Sequence, residues 1–140
     1  MENKIDYYFD IVSPYSYIAS MLIEDVARRG NAKVNWKPFL LGGVFNAVGT
    51  TDPPGVHPTK KPYLQKDLQR LSGHLKIPIK MPADFPARTV LAMRTLCGFN
   101  PDEIVQATQI LFEAYWVNNQ DIADPKVLAS IVGKDAVERA

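Results

Sequence analysis

Hydrophobic and polar positions along the chain follow two periods in succession, one suited to strands and then one suited to helices. Residues 5–10 are rich in tyrosine, phenylalanine and isoleucine. They are almost wholly apolar and predict a short, buried strand. Tyr15, Ile18, Ala19, Leu22 and Val26 then recur at helical spacing. Ser13 stands before them as a preferred N-cap, Pro14 suits the first helical position, and Gly30 is placed to end the helix. Residues 33–39 (KVNWKPF) alternate as a second strand. Strand, helix and strand make a βαβ unit, with a parallel pair and a right-handed crossover.

From there the pattern is helical. Residues 49–62 predict a proline-rich loop, and Leu64, Leu68, Leu71 and Leu75 mark an amphipathic helix. Residues 77–86, punctuated by Pro78, Pro82 and Pro86, predict an extended connection. A helix over 87–97 follows. The next is opened by Asn100 with Glu103 as a capping box, and its apolar face is Ile104, Val105, Thr108, Leu111, Phe112 and Tyr115. Asp124-Pro125 starts another that ends at Gly133, and the last residues continue as helix. The expected organisation is residues 1–48 as a βαβ part and residues 49–140 as a loop and helical subdomain. Two strands make a poor sheet, so the pattern reads as C-terminally truncated.

Composition narrows the classes. Of the 140 residues 46% are apolar and 22% charged, with a formal net charge of +1. That excludes a disordered tail and, with no basic stripe, argues against a nucleic-acid partner. The acidic N-terminus has no signal-peptide pattern, and no apolar run reaches the ~18–20 residues of a membrane span. Cys97 is the only cysteine, which rules out an internal disulfide and a cysteine-rich zinc site and fits a reducing, cytoplasmic setting. Cys97 itself reads as a small buried hydrophobe. His57 and His74 lack metal-ligand spacing, so no metal is expected. Tyr115 and Trp116 read as core or interface residues, and Asp10 as support for the loop before Pro14.

The chemistry concentrates at Ser13-Pro14-Tyr15-Ser16, where the first strand meets the first helix. A hydroxyl donor beside backbone N–H groups at a helix start favours an anion. A hydrogen bond to a charged group contributes about 1.5–3 kcal/mol, enough to lower a bound thiol from its usual ~8.5 by roughly one to two units. Taken alone, Ser13 reads first as a simple helix cap.

The run Tyr8-Phe9-Asp10-Ile11-Val12-Ser13-Pro14-Tyr15-Ser16-Tyr17 resembles the opening of the 2-hydroxychromene-2-carboxylate isomerases and the kappa-class glutathione transferases. The likeness continues through Trp36-Lys37-Pro38-Phe39-Leu40-Leu41-Gly42, Asp52-Pro53-Pro54-Gly55, Lys60-Lys61-Pro62-Tyr63, Ile77-Pro78-Ile79 and Ala114-Tyr115-Trp116. It implies a thioredoxin-like α/β fold of the DsbA type: a βαβ unit with an inserted α-helical subdomain, the family's C-terminal strands and helix being missing here. In disulfide oxidoreductases of this fold the same junction holds Cys-Pro-x-Cys. With serine at both positions, dithiol chemistry is impossible.

The resemblance further implies glutathione as cofactor, with Ser13 as the catalytic serine at its sulfur and Lys60 as a glutathione contact. Thr51 stands where the family places an asparagine for the same purpose, and Phe85 where it places an aromatic against the substrate. The implied reaction is cis–trans isomerisation of 2-hydroxychromene-2-carboxylate, a small aromatic substrate, in aromatic-compound breakdown, by a homodimer. The alternatives are a kappa-type glutathione transferase and a truncated, non-catalytic binding paralogue.

Overall fold

The computed structural model describes residues 2–140. β1 (Asn3–Phe9) and β2 (Ala32–Pro38) pair in parallel, with Asn3 opposite Ala32 and Phe9 opposite Pro38. The chain between them is helical, which completes the expected βαβ unit. β1 is not buried on both faces. Tyr7 and Phe9 point into the core while Asp6 and Tyr8 are exposed, the alternation of a strand covered on one side. On the open face Asp6 accepts from Asn35 Nδ2 at 2.9 Å and from Lys37 Nζ at 2.8 Å.

The single helix expected between the strands is two: α1 (Pro14–Ser20) and α2 (Ile23–Arg29). The Ser20 hydroxyl donates to the Tyr17 carbonyl at 2.6 Å. Met21 and Leu22 donate to Ile18 and Ala19, three residues back instead of four. A serine competing for a helical carbonyl, followed by tightened turns, is enough to break the register. Gly30 caps α2 at φ −89°, and the left-handed residue is Asn31 at φ 48°, asparagine being among the side chains that best tolerate that region.

α3 (Leu41–Ala47) follows β2 and was not legible in the sequence. α4 (Lys60–Leu75) begins one turn earlier than the leucine pattern suggests. The Thr59 and Lys60 N–H groups donate to His57 Nδ1, and Pro62 sits in the first turn, where its missing N–H costs nothing. Residues 76–89 contain no strand and no helix, as expected of the proline-rich connection. α5 (Val90–Cys97), α6 (Ile104–Trp116), α7 (Pro125–Val132) and α8 (Lys134–Glu138) complete the chain. Asp124 Oδ1 accepts from Lys126, the expected cap of α7, whereas Asn100 Oδ1 accepts from the Asp102 and Glu103 N–H groups in the turn before α6, whose N-cap is Glu103 with no side-chain cap bond.

One cluster of buried side chains draws on both halves of the chain, from Phe9, Ile11 and Tyr17 to Leu96, Phe112, Trp116 and Leu128. Phe9 lies 6.1 Å and Tyr17 5.8 Å from Phe112, ring centre to ring centre. Cys97 corrects the sequence reading. It is exposed, because the last turn of α5 points Leu96 inward and leaves Cys97 on the outside near the β2 edge. No helix among the described residues is long and apolar enough to cross a membrane.

Thr108 in α6 is fully buried, and its hydroxyl has no hydrogen-bond partner. A buried, unsatisfied polar group costs about 1–3 kcal/mol. Thr108→Val, of nearly the same shape, is therefore expected to raise the melting temperature by ~2–4 °C. A thermal scan in which the variant melts lower would show that the hydroxyl has a partner.

Candidate functional site

β1 ends where the site begins. The residue after Phe9 is Asp10, and a short turn through Ile11 and Val12 leads to Ser13 at the N-cap of α1, in extended conformation at φ −88° and ψ 117°. The Ser13 side-chain oxygen accepts from the Ser16 N–H at 3.1 Å. A capping serine uses a lone pair for this bond and keeps its own O–H proton for another acceptor. Cap and donor are therefore compatible roles for one hydroxyl.

Ser13 lines a cavity of about 580 Å³, within the usual range for small-molecule sites. One wall is the Ser13 turn with Tyr15. The second is Leu41 and Phe45 of α3, the third is the Pro53–Pro54–Gly55–Val56 segment, and the fourth is Phe85 to Val90. Most of these side chains are apolar. Arg88 is the only cationic residue in the lining and Asp10 the only acidic one.

The fourth wall is irregular backbone, and its hydrogen bonds explain why it stays in place. Lys80 N–H donates to the Trp116 carbonyl at 2.7 Å, Ala83 N–H to Asn119 Oδ1 at 2.8 Å, and Ala87 N–H to the Tyr115 hydroxyl at 3.1 Å. The Trp116 indole N–H donates to the Ile11 carbonyl at 2.8 Å, and its ring lies 5.8 Å from that of Phe85. The end of α6 thus fixes both the Ser13 turn and the Phe85 segment. The Phe85–Pro86 peptide bond is cis. On the α1 side, Tyr17 donates to the Pro78 carbonyl at 2.7 Å and Tyr15 to Asp67 Oδ2 at 2.6 Å.

These phenols stay protonated. Burial, reinforced by the carboxylate of Asp67, pushes Tyr15 up to about 12. Burial also pushes Tyr115 up to about 12, against the opposing effect of its bond from Ala87. Burial raises Asp10 above the ordinary carboxylate value, although the N–H groups of Leu41 and Val12 and the side chain of Thr89 favour its charged form.

Of the residues singled out from the sequence, Ser13 and Phe85 share this cavity. Thr51 and Lys60 do not line it. Thr51 is exposed beside Asp52, and Lys60 is exposed at the start of α4. Leu41, Gly55 and Arg88 belong to the lining and were not singled out from the sequence; Asp10, read first as loop support with a role near the site as the alternative, also lines it. Among the described residues no group of three or more His, Cys, Asp and Glu is placed to hold a metal ion.

Residues 4–140 match the DSBA-like thioredoxin domain. The chain belongs to that family. It is similar to human glutathione S-transferase kappa 1, with 30% identity over 142 residues that cover 96% of this chain and 62% of the relative. It is also similar to a 2-hydroxychromene-2-carboxylate isomerase of Sphingobium xenophagum, 31% identical over 86 residues, covering 61% of this chain and 44% of the relative. The chain thus spans less than two thirds of the length of these relatives. A solved structure of a 2-hydroxychromene-2-carboxylate isomerase shares the fold, with a TM-score of 0.77 at 24% identity over 97% of this chain and 70% of that one. The DsbA-like βαβ unit with added helices is accordingly the fold expected from the sequence.

Gly55 has a steric reason to be glycine. A Cβ there would lie 2.7 Å and 2.8 Å from two ring carbons of Phe85, closer than packed carbon atoms approach. Gly55→Ala must displace the ring or the Pro53–Val56 segment. Overpacking of this kind should weaken binding of an apolar fluorescent probe in the cavity roughly tenfold, and Gly55→Ala/Phe85→Leu should restore most of the loss. Equal affinity in Gly55→Ala and the parent protein would show that this contact does not shape the cavity.

Proposed function

We propose that the cavity binds glutathione with its sulfur at Ser13 and presents it to a small aromatic electrophile held against Phe85. The observation that carries this reading is a capping serine whose donor proton is spare and whose side chain lines a cavity with mostly apolar walls. The names of the relatives, kappa glutathione transferases and chromene-carboxylate isomerases, point the same way. The residues suit the sulfur end of glutathione best: Ser13 supplies the donor, and the apolar walls exclude water that would weaken it. The charged ends of the peptide extend beyond these walls, towards the loop of Thr51 and the start of α4 at Lys60.

When bound, glutathione supplies a soft thiolate nucleophile. The chain's part is to donate the Ser13 proton to that sulfur, to keep Tyr15 and Tyr115 neutral nearby, and to orient the second substrate. Arg88, at the rim, is positioned for an anionic group on that substrate. The specific reaction we infer is isomerisation of 2-hydroxychromene-2-carboxylate. Transfer of glutathione to an electrophile is the second reading, favoured by the longer span of similarity to the kappa transferases, 96% of the chain against 61%. Cytoplasmic placement and a homodimer belong to the same proposal.

Two substitutions separate cap from donor. Ser13→Ala removes both and should cost ~1 kcal/mol of stability. Ser13→Asp keeps an effective cap but puts a negative charge at the sulfur. Bound glutathione should ionise below the ~8.5 of a free thiol in the parent protein, and higher by about one unit or more in both variants. The measurement is thiolate absorbance against pH, with melting curves alongside. A variant pair that leaves the apparent pKa unmoved would reduce Ser13 to a helix cap. Product analysis with the chromene carboxylate and with a halogenated aromatic then chooses between isomerisation and transfer.

A further inference from the structure

Asp10 has no part in the reading above, yet it is the only carboxylate among the buried side chains of the described residues, and it lies in the wall of the same cavity. A charge in that position is costly unless it is well hydrogen-bonded. Its two hydrogen-bond partners come from different parts of the chain. Oδ1 accepts from the Val12 N–H at 3.1 Å, in the turn before Ser13. Oδ2 accepts from the Leu41 N–H at 2.9 Å, the first residue of α3. Thr89, at the cap of α5, makes no side-chain bond to its own helix, and its side chain favours the charged form of Asp10. The Asp10 carbonyl also accepts from the Ser13 N–H at 3.0 Å.

We propose that Asp10 is a positioning residue whose carboxylate clamps the Ser13 turn to the start of α3, and that a proton taken up at acid pH releases the clamp and shifts the turn. A carboxyl group that carries a proton must turn one oxygen from acceptor into donor, so the bonds from Val12 and Leu41, one on each oxygen, cannot both persist. The groups facing it do not change charge in the acid range. Tyr115 of α6 and Tyr15 of α1 remain neutral, Arg88 stands just before Thr89 in the chain, and α3 has no titratable residue. Asp84 and Asp121 act on Tyr115, not directly on Asp10.

The direction of linkage favours a positional role over a stabilising one. The folded value of Asp10 lies above the unfolded one, because burial outweighs the three donors. Its contribution to stability is therefore fully present below ~3.9, the unfolded value, and is lost as pH rises through the folded value. At neutral pH the fold carries this charge at a cost.

The clamp can be read without any ligand by amide proton NMR against pH. The Val12 and Leu41 amides, which touch the carboxylate, and the Trp116 indole, which touches Ile11, should titrate together with a midpoint above ~3.9. In Asp10→Asn all three should be flat. Thr89→Val, which removes one donor and leaves the carboxylate, should move the midpoint up by about one pH unit; it serves as the test if Asp10→Asn does not fold. Persistence of the step in Asp10→Asn, an unmoved midpoint in Thr89→Val, or a Trp116 indole that stays still while the amides move would each overturn the proposal.

The consequence for ligand rests on the cavity being a glutathione site. Glutathione affinity should fall several-fold across the same step in the parent protein and show no such step in Asp10→Asn. A concerted titration with no glutathione binding at neutral pH would support the clamp and refute the glutathione reading. Glutathione binding that ignores the step would refute the clamp alone.

Discussion

The hydrogen bond from the Trp116 indole to the Ile11 carbonyl joins residues 105 positions apart. It is the contact on which the site depends. Ile11 sits between the end of β1 and Ser13, so its carbonyl has no partner within a strand or a helix. Without a donor from elsewhere it would be a buried, unsatisfied acceptor. The indole meets that need from the far end of α6, and in the same place the Trp116 ring packs on Phe85 while its carbonyl takes the Lys80 N–H. One side chain and its backbone therefore hold two cavity walls that have no regular structure between them. The neighbouring Tyr115 repeats the device through Ala87.

This division explains what could be read from the sequence. The two strands, the Ser13 and Asp124 caps, and the buried faces of α4 and α6 rest on interactions within a few residues, which a periodic pattern records. Ser13 and Phe85, which share the cavity, were singled out for a different reason, the likeness of the surrounding motifs to a known family. α3 was not legible. It begins with Leu41-Gly42-Gly43, poor helix formers after a leucine, and its first N–H is capped by Asp10 from 31 residues away. Asp10 was legible chiefly as local support, since its Leu41 partner comes from outside its own turn. The break between α1 and α2 was hidden because Leu22 and Val26 keep helical spacing across it.

The capping role of Ser13 does not compete with the donor role proposed for it; the two would reinforce each other. Accepting the Ser16 N–H fixes the direction of the hydroxyl oxygen and leaves its proton to point elsewhere. A side chain that must hold an anion loses less freedom on binding if it is already oriented. The cost is that one backbone N–H at the helix start is already used, and Pro14 supplies none. What the helix offers a ligand is correspondingly modest, so the hydroxyl itself is the principal donor.

On the glutathione reading proposed above, Ser13 would act on the sulfur whichever electrophile follows, so it would not choose between isomerisation and transfer. The choice has to lie in the opposite wall, where Phe85 rests on the bare backbone of Gly55 and Arg88 marks the rim. An apolar surface distinguishes shapes only weakly, by about 1–3 kcal/mol for a methylene-sized difference. A cation at the mouth adds discrimination by charge, favouring a substrate with one anionic end and one aromatic end over a neutral aromatic of equal size. That combination is the argument for placing an aromatic carboxylate ahead of a neutral electrophile in this cavity, and it depends on Arg88 and the Phe85–Gly55 contact much more than on the serine that announces the site in the sequence.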